Sequence, residues 1–535
     1  MQDVVSTPSR IRGGRLSEFR SRLRPEAPSL TDCSAAGISA VLLIFSFPDF
    51  NLWPLAWVAL VPLFVVVARS TGLWRAFLLG WLFGSLFFYG SCYWLTYSMI
   101  HFGGIPPVLA FVLLAPGAAL LGIFPGVFTI VLARAIQKWG TPGLFIAPLL
   151  WSALEWGRLE ITGQLWNAIG YSQAYHPLLI QSASWAGVYA VGFLIVSVNA
   201  AFAFGLIRHS IRALVITGGA ILLAGTVILL AYRKSPLWQW KVNEEAEAVV
   251  VAIQPNVPMD LDKSDGDMRK LTVRHFEMSE SALRALSQDG KPRLVIWPES
   301  PMNFAYGGDN HLREMVGSFA KTNNTSILLN SQEVAPNDGI YNSALLINQD
   351  GSLVAQYDKI RLLPFGEYVP LPQWLPGAGL IRAIVGDFTP GTKYQLIPVG
   401  GVRAGVFICI ESAYPTVARR FTREGADVLI NISNDGYLGP TAVMRQHLAN
   451  AVFRAVENGR PLLRVTNTGI TAFITPGGEV NDATAGFQPD VRTWNISGPQ
   501  QAQTFYTAHG DLFAAGCAML SLLIFVFSFK GQPRF

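Results

Sequence analysis

The chain has 535 residues, of which 51% are hydrophobic and 14% charged, and its mean hydropathy is +0.35. Ordinary soluble domains rarely reach such values, so the composition excludes a purely soluble protein. The net charge of +5 comes mainly from arginines that flank apolar runs, which favours membrane orientation over nucleic-acid binding.

Runs of about 20 apolar residues predict membrane spans, because a helix of that length crosses a hydrocarbon core of roughly 30 Å. They predict eight spans, at residues 34–50, 53–69, 76–100, 105–134, 142–157, 177–207, 212–232 and 511–529. Prolines within the fourth segment, among them Pro116 and Pro125, predict an irregular helix there. Gly80 and Gly84 in the third segment fit a close contact between two helices.

Lys and Arg in short loops mark the cytoplasmic side of a membrane. The segment before the first span and alternate loops carry such residues, for example Arg69 and Arg134. Parity then predicts that residues 240–510 lie on the extracytoplasmic side, with Arg233 and Lys234 as the exception. No small-residue cleavage site follows the first apolar run, so we expect the Arg-rich start to be a cytoplasmic anchor and not a cleaved signal peptide.

These features predict five parts of the chain. They are a basic cytoplasmic segment (1–32), a transmembrane domain with seven spans (33–235), an extracytoplasmic catalytic domain (240–505), a final span (511–530) and a cytoplasmic tail (531–535).

The four cysteines are unevenly placed. Three lie in or beside the predicted spans, and Cys409 alone belongs to residues 240–510. A disulfide framework is therefore excluded within that region. Cys409 by itself could be a small buried apolar residue, but a single thiol kept in a compartment where disulfides form favours a chemical role.

Strands and helices alternate along residues 240–510. Apolar and β-branched runs predict strands at 248–254, 293–297, 325–330, 341–348, 353–357, 405–411, 426–433, 461–466 and 470–475. Apolar residues at helical spacing predict helices at 267–286, 310–322, 414–424 and 442–458. This alternation predicts an α/β architecture with helices covering the faces of the sheet.

Polar residues end or directly follow several of the predicted strands, at the ends where α/β sheets bind ligands. Glu299 and the pair Asn434-Asp435 each stand at the end of a strand, Cys409 and Glu411 end the strand at 405–411, and Lys359 follows the strand at 353–357. Individually, Glu299 could be a solvated turn carboxylate and Lys359 a surface lysine. Together with Cys409 they supply a base, a cation and a nucleophile, the groups that acyl transfer requires.

Three motifs at these strand ends stand in a recognisable order. They are Trp297-Pro298-Glu299, Tyr357-Asp358-Lys359 and Cys409-Ile410-Glu411. Their order and spacing resemble the nitrilase superfamily, whose carbon–nitrogen hydrolase domain carries a Glu-Lys-Cys triad on an αββα sandwich. The resemblance implies that fold for residues 240–505 and a catalytic triad of Glu299, Lys359 and Cys409.

Further motifs resemble the apolipoprotein N-acyltransferases, the membrane-integral branch of that superfamily. They are LPFGEYVP at 363–370, NDGY at 434–437, GRPLLR at 459–464, Thr466-Asn467, and residues 155–172 in the membrane part. The resemblance covers nearly the whole chain after residue 35. Two positions depart from the family pattern, Ile410 where Tyr is common and Lys263 where Trp is usual; both positions are thought to shape the mouth of the substrate site.

The resemblance implies an activity and a location. The enzyme would move an acyl chain from a phospholipid, through a thioester on Cys409, to the α-amino group of the N-terminal diacylglyceryl-cysteine of lipoproteins. Glu367 and Glu411 would support the site. The membrane would be the bacterial inner membrane, crossed several times, with the catalytic domain on the periplasmic side.

The expected partners follow from that activity. They are a phospholipid acyl donor, a diacylglyceryl apolipoprotein acceptor and the membrane, with no nucleic acid. We expect no metal or organic cofactor, because the seven histidines form no close cluster and no Gly-rich phosphate loop is present. We expect a monomer, although the sequence leaves the oligomeric state open.

Two alternative functions remain at this point. A membrane-bound nitrilase-type amidase would pass the thioester to water, but eight spans exceed what a tether needs. A transporter with a degenerate extracytoplasmic domain would normally carry ionisable groups inside its spans. Here the spans hold few such groups beyond Glu155, which disfavours a transporter.

Overall fold

The computed structural model describes residues 27–163, 165–235, 246–259, 263–287, 290–369, 388–498 and 502–529. Most of the predicted basic segment and the whole predicted cytoplasmic tail lie outside the described residues.

The N-terminal half of the described chain is helical. Its helices are Leu30–Ser46, Val61–Ala68, Leu73–Ser91, Leu95–His101, Pro107–Trp139, Ala147–Thr162, Val188–Arg208 and Ile211–Arg233, and a further helix, Leu512–Phe529, lies near the C-terminus. Four of them, Leu73–Ser91, Pro107–Trp139, Val188–Arg208 and Ile211–Arg233, are long and apolar enough to cross a membrane. Three other apolar helices among the described residues are shorter. The chain is a membrane protein, and the count of eight spans stays a prediction.

Four of the predicted spans are not continuous α-helices. Those at 53–69 and 142–157 begin with 3₁₀ turns, Trp53–Trp57 and Thr141–Ile146, before their α-helices. The segment predicted at 76–100 breaks after Ser91, whose backbone carbonyl accepts hydrogen bonds from the side chains of Trp94 and Gln446. In the segment predicted at 177–207, the long helix begins only at Val188, because Gly187 before it adopts a positive φ of 67°.

The fourth predicted span is one unbroken helix of 33 residues, Pro107–Trp139, which contains Pro116 and Pro125, and its irregularity stays a prediction. Proline removes a helical hydrogen bond, and neighbouring helices in membrane proteins commonly satisfy the groups that it frees. Trp81 and Tyr89 of the neighbouring helix donate hydrogen bonds of 2.9 and 3.3 Å to the carbonyls of Ala119 and Phe111 in this helix, which are not the carbonyls that its prolines free.

Gly80 and Gly84 face the same proline-containing helix. A Cβ atom on Gly80 would overlap Thr129, and one on Gly84 would lie 2.7 Å from a ring carbon of Pro125. The two glycines therefore permit the close helix contact that their spacing indicates.

The C-terminal half forms two six-stranded sheets. The strands are β1 (Ala248–Gln254), β2 (Arg293–Ile296), β3 (Ser326–Val334), β4 (Ile340–Ile347), β5 (Leu353–Asp358), β6 (Leu396–Val399), β7 (Val402–Ile408), β8 (Val428–Ser433), β9 (Leu462–Thr466), β10 (Ala472–Ile474), β11 (Val480–Asn481) and β12 (Asp490–Ile496). Their order is β12-β1-β2-β3-β4-β5 in the first sheet and β11-β10-β9-β8-β7-β6 in the second.

Alternating side chains of these strands build two cores. In β1, Val250 and Ala252 belong to the core between the sheets, whereas Val251 and Ile253 pack with Leu283 of the outer helix Asp265–Arg284. This alternation follows from the pleat of a strand. Helices Asp265–Arg284 and Asn310–Thr322 cover the first sheet, and Pro415–Arg423 and Val443–Asn458 cover the second. The predicted αββα sandwich is therefore confirmed.

The helix Val443–Asn458, here called the interface helix, is buried along most of its length. Tyr175 in the membrane part donates a 2.6 Å hydrogen bond to the backbone carbonyl of Arg445, and Glu457 accepts one of 3.0 Å from the backbone N–H of Val188. The interface helix thus joins the second sheet to the membrane helices.

Candidate active site

Three of the predicted site residues come from both sheets and meet at one rim. Lys359 and Cys409 directly follow β5 and β7, and Glu299 follows β2 after a short loop. The strands β2 and β5 belong to the first sheet and β7 to the second. The charge of Glu299 raises the pKa of the Cys409 thiol, and the charge of Lys359 lowers it. The three residues therefore lie close enough to interact electrostatically.

Lys359 is almost completely buried, with a side chain only 1% exposed, and is therefore not a surface lysine. Its Nζ donates a 2.8 Å hydrogen bond to Oε1 of Glu367 and lies 3.7 Å from Oε1 of Glu299. Burial alone would lower the pKa of Lys359, but the two carboxylates raise it above its usual value. The lysine is accordingly a permanent cation in the site.

Asn342, at the start of β4, connects the two carboxylates. Its Nδ2 donates hydrogen bonds of 2.9 Å to Oε1 of Glu299 and to Oε1 of Glu367, and its backbone carbonyl accepts one of 2.8 Å from Lys359 N–H. Asn342 was not predicted from the sequence, because a polar side chain beside Tyr341 and Ser343 at the start of β4 gives no distinctive signal.

Glu299 is held at both carboxylate oxygens but is not sealed from solvent. Oε1 contacts Asn342 and Lys359, and Oε2 accepts a 3.2 Å hydrogen bond from the backbone N–H of Asn434. The side chain is 17% exposed. This arrangement orients the carboxylate while leaving it able to exchange a proton, as a general base must.

Cys409 does not belong to a strand, which corrects the prediction of a strand at 405–411. Strand β7 ends at Ile408, and residues Cys409–Ala413 form a one-turn 3₁₀ helix, here called the Cys409 turn. Cys409 has a φ of +52°, a left-handed conformation that costs a non-glycine residue about 1–3 kcal/mol and is common at functional sites.

The Cys409 thiol rests in its protonated form. Burial and the negative charge of Glu299 raise its pKa, and Lys359 opposes this only in part. A neighbouring base must therefore accept the proton when the sulfur attacks a substrate.

Glu411 lies in the Cys409 turn and not on a strand. Its carboxylate accepts hydrogen bonds from the backbone N–H groups of Ile360, Arg361 and Ile408 at 2.8–3.0 Å, and from the Tyr357 hydroxyl. Burial raises the pKa of Glu411, and these donors oppose that shift. The residue ties the turn to the segment that carries Lys359.

Asp435, after β8, is a buried anion. Oδ2 accepts a 2.9 Å hydrogen bond from Arg464, and Oδ1 lies 2.8 Å from Nδ1 of His447. Burial would raise the pKa of Asp435, but Arg464 and His447 lower it to about 2. The position of Asp435 at the rim was predicted from the sequence, but its two partners, which come from distant segments, were not.

The rim also contacts the membrane helices. Ser98 donates a 2.6 Å hydrogen bond to the carbonyl of Tyr437, in the loop after Asp435, and the indoles of Trp94 and Trp166 both donate to Oε1 of Gln446. In the part of the chain that the structure describes, no group of three or more His, Cys, Asp or Glu side chains could hold a metal ion. The expected absence of a cofactor stays a prediction.

Two family models match the chain. The apolipoprotein N-acyltransferase N-terminal domain matches residues 39–201, and the carbon–nitrogen hydrolase domain matches residues 253–498. Among solved structures, the amidase from Nesterenkonia sp. AN1 is 16% identical with a TM-score of 0.37, covering 50% of this chain and 96% of its own. Saccharomyces cerevisiae Nit3, a nitrilase-superfamily member, is 18% identical with a TM-score of 0.38, covering 54% and 98%.

Curated relatives match over nearly the whole length. The apolipoprotein N-acyltransferase of Geobacter metallireducens is 32% identical, covering 93% of this chain and 95% of its own. The Pseudomonas putida protein of the same name is 30% identical, covering 93% and 96%. Because these matches include both the membrane part and the two-sheet domain, the chain belongs to the apolipoprotein N-acyltransferase family.

Proposed function

We propose that this protein is an apolipoprotein N-acyltransferase that works through an acyl-enzyme on Cys409. The observation that carries the proposal is the arrangement of a buried thiol, the partly exposed carboxylate of Glu299 and the buried cation of Lys359 at a rim that contacts the membrane helices. A nucleophile at that position can reach the ester of a phospholipid, the acyl donor that we propose.

In the first half-reaction Glu299 acts as the general base. It takes the proton of Cys409 as the sulfur attacks the ester carbonyl carbon, whose π electrons move to the carbonyl oxygen. The tetrahedral intermediate collapses, the C–O bond to the glycerol breaks, and Glu299 returns the proton to the leaving oxygen. Lysophospholipid departs and a thioester remains.

Lys359 is the proposed stabiliser of the oxyanion. The ammonium is already positioned by Glu367 and needs no reorganisation when negative charge develops. In a buried site such a charge acts more strongly than in water. Glu367 would support Lys359, with Asn342 orienting both carboxylates, and Glu411 would fix the geometry of the Cys409 turn.

In the second half-reaction the free α-amine of a diacylglyceryl-cysteine attacks the thioester. The amine loses a proton to Glu299, the C–S bond breaks, and the Cys409 sulfur takes up the proton that Glu299 holds. The products are an N-acylated lipoprotein and the resting thiol.

We further propose a location. The catalytic domain, residues 240–505, would lie on the periplasmic side of the bacterial inner membrane, with seven spans before it and one after it. Alternate basic loops support this orientation. The cytoplasmic N-terminal segment and tail complete the five-part organisation.

One assay distinguishes transfer of the acyl group to a lipoprotein amine from its hydrolysis to free fatty acid. Purified protein in detergent is incubated with phospholipid and a synthetic peptide that begins with diacylglyceryl-cysteine, and the products are separated by mass spectrometry. We expect the N-acylated peptide and lysophospholipid in equal amounts. Free fatty acid with unmodified peptide would contradict the proposal and identify an amidase-like hydrolase.

A further inference from the structure

The backbone carbonyl of Cys409 is held by two side chains from outside its own turn. Asn431, on β8, donates a hydrogen bond of 3.3 Å from Nδ2, and the Nε2 atom of His447, on the interface helix, lies 3.0 Å from the same oxygen. Both contacts are made to the main-chain oxygen of Cys409, and neither involves its sulfur atom.

The conformation of Cys409 explains why such a hold matters. A non-glycine residue at a φ of +52° keeps that conformation only where its surroundings impose it. The carbonyl and the sulfur share one Cα atom, so rotation of the peptide would move the thiol relative to Glu299 and Lys359.

His447 is itself fixed within the protein. Its Nδ1 lies 2.8 Å from Oδ1 of Asp435, whose other oxygen accepts a hydrogen bond from Arg464. The ring of Trp166 packs against the imidazole of His447, and the two ring centres are 5.6 Å apart. His447 as a whole is 3% exposed, and its ring is bounded by groups from β9, the Cys409 turn and the membrane part.

We propose that His447 is a positioning residue, which holds the nucleophile by donating a hydrogen bond from Nε2 to the Cys409 carbonyl. This proposal rests on the acyl-enzyme described under Proposed function. It assigns His447 no contact with the lipid and no proton transfer to the substrate. The residue acts only through the main chain of Cys409.

The proposed hydrogen bond depends on which nitrogens of the His447 imidazole carry a proton. Nδ1 of His447 faces a carboxylate oxygen of Asp435, and Nε2 faces the carbonyl oxygen of Cys409. Both oxygens are acceptors, and only the doubly protonated imidazole donates from both nitrogens. Burial and the Arg464 guanidinium lower the pKa of His447 below its usual value, although Asp435 and the Cys409 carbonyl oppose this shift. The doubly protonated form is therefore disfavoured, and the neutral ring must carry its single proton on Nε2 to donate to Cys409. The proposal requires a proton on Nε2.

Two polar variants separate the contacts of the ring. Glutamine places its amide nitrogen near the position of Nε2, so His447→Gln retains a donor for Cys409. Asparagine is shorter and places its amide nitrogen near Nδ1, so His447→Asn retains the contact with Asp435 and loses the one with Cys409. Asn450→Ala is the matched control, because Asn450 lies on the same helix, is buried, and donates a hydrogen bond to the carbonyl of Gln446 in its own helix.

The experiment follows acyl-adduct formation over time by intact-mass analysis of purified protein in phospholipid–detergent micelles. We expect His447→Asn to lower the rate constant by about 10- to 100-fold, the scale of a misplaced reactive group. The final fraction of acylated protein should be unchanged. His447→Gln and Asn450→Ala should stay within about threefold of the wild type.

Three outcomes have distinct meanings. Equal rate constants for the Asn and Gln variants would overturn the proposal. A reduced acylated fraction at an unchanged rate constant would also overturn it, because that result indicates a purely structural role. Failure of the wild type to form any adduct would instead refute the proposed function.

Discussion

The ammonium of Lys359 donates a 2.8 Å hydrogen bond to Oε1 of Glu367 inside the protein. This contact fixes the cation beside Cys409 before any substrate binds. We expect Lys359→Ala to slow thioester formation by about 10²-fold or more, the usual cost of losing an oxyanion donor. Intact-mass measurement of the acyl adduct after defined times gives the rate.

Lys321→Ala is the control for that experiment, because Lys321 is an exposed lysine in the last turn of helix Asn310–Thr322. Thermal unfolding shows whether each variant is folded. Near-normal acylation by folded Lys359→Ala protein would remove the lysine from the mechanism.

Glu411→Gln should act mainly on stability. Both carboxylate oxygens of Glu411 face donors, so the amide group of glutamine would leave at least one buried N–H or O–H unpaired. We expect the free energy of unfolding to fall by about 1–3 kcal/mol. Tyr357→Phe removes a single hydrogen bond and should cost less. An unchanged unfolding curve combined with lost acylation would instead indicate a chemical role for Glu411.

Because of Asp435, the free energy of unfolding should depend on pH in the acid range. Its folded-state pKa of about 2 lies below the ordinary value of 3.8, so the ionised form stabilises the folded protein. The contribution, about 2 kcal/mol, is present above pH 4 and is lost as the pH falls from about 4 towards 2. Asp435→Asn should therefore lower stability at neutral pH and flatten the dependence in that window.

Thermal unfolding of the detergent-solubilised protein across this pH range measures the effect. Asp265→Asn is the control, because Asp265 is exposed at the start of helix Asp265–Arg284. Parallel pH profiles for the wild type and Asp435→Asn would contradict the prediction.

The orientation of the catalytic domain can be tested by cysteine labelling in intact cells. Single cysteines are introduced at Gln349, in the exposed turn between β4 and β5, and at Gln137, near the end of helix Pro107–Trp139, after the native cysteines are replaced by alanine. A reagent that cannot cross the inner membrane should label position 349 and not position 137, because basic loops stay cytoplasmic. The opposite pattern would reverse the proposed topology.

Local signals sufficed for much of the fold. The β-branched run Ala248–Gln254 and the amphipathic segment Asn310–Thr322 have the bounds that the sequence predicts. Strand β12, Asp490–Ile496, was missed because it is a partly exposed edge strand with polar residues, defined by its pairing with β1. Its existence depends on a partner more than 200 residues away in sequence.

The site was only partly predictable for the same reason. The sequence indicated Glu299, Lys359 and Cys409, because they lie at the ends of apolar runs. It indicated neither Asn342 nor His447, whose contacts depend on side chains from distant segments. The left-handed conformation of Cys409 was equally invisible, since no glycine or asparagine marks it.

Replacement of Cys409 should separate folding from chemistry. Cys409→Ala removes only one sulfur atom and should leave the domain folded. Cys409→Ser should also fail to form an adduct, because a hydroxyl is far less acidic than a thiol and a carboxylate such as Glu299 is too weak a base to activate it. A folded serine variant that acylates at the wild-type rate would contradict this reasoning.

The most direct test of an acyl-enzyme on Cys409 is intact-mass analysis of the wild type and Cys409→Ala after incubation with a phospholipid of one defined acyl chain. We expect a mass increase equal to that acyl group in the wild type, reversed by hydroxylamine as a thioester should be, and no increase in Cys409→Ala. An acyl adduct of the same mass on the Cys409→Ala protein would contradict that expectation.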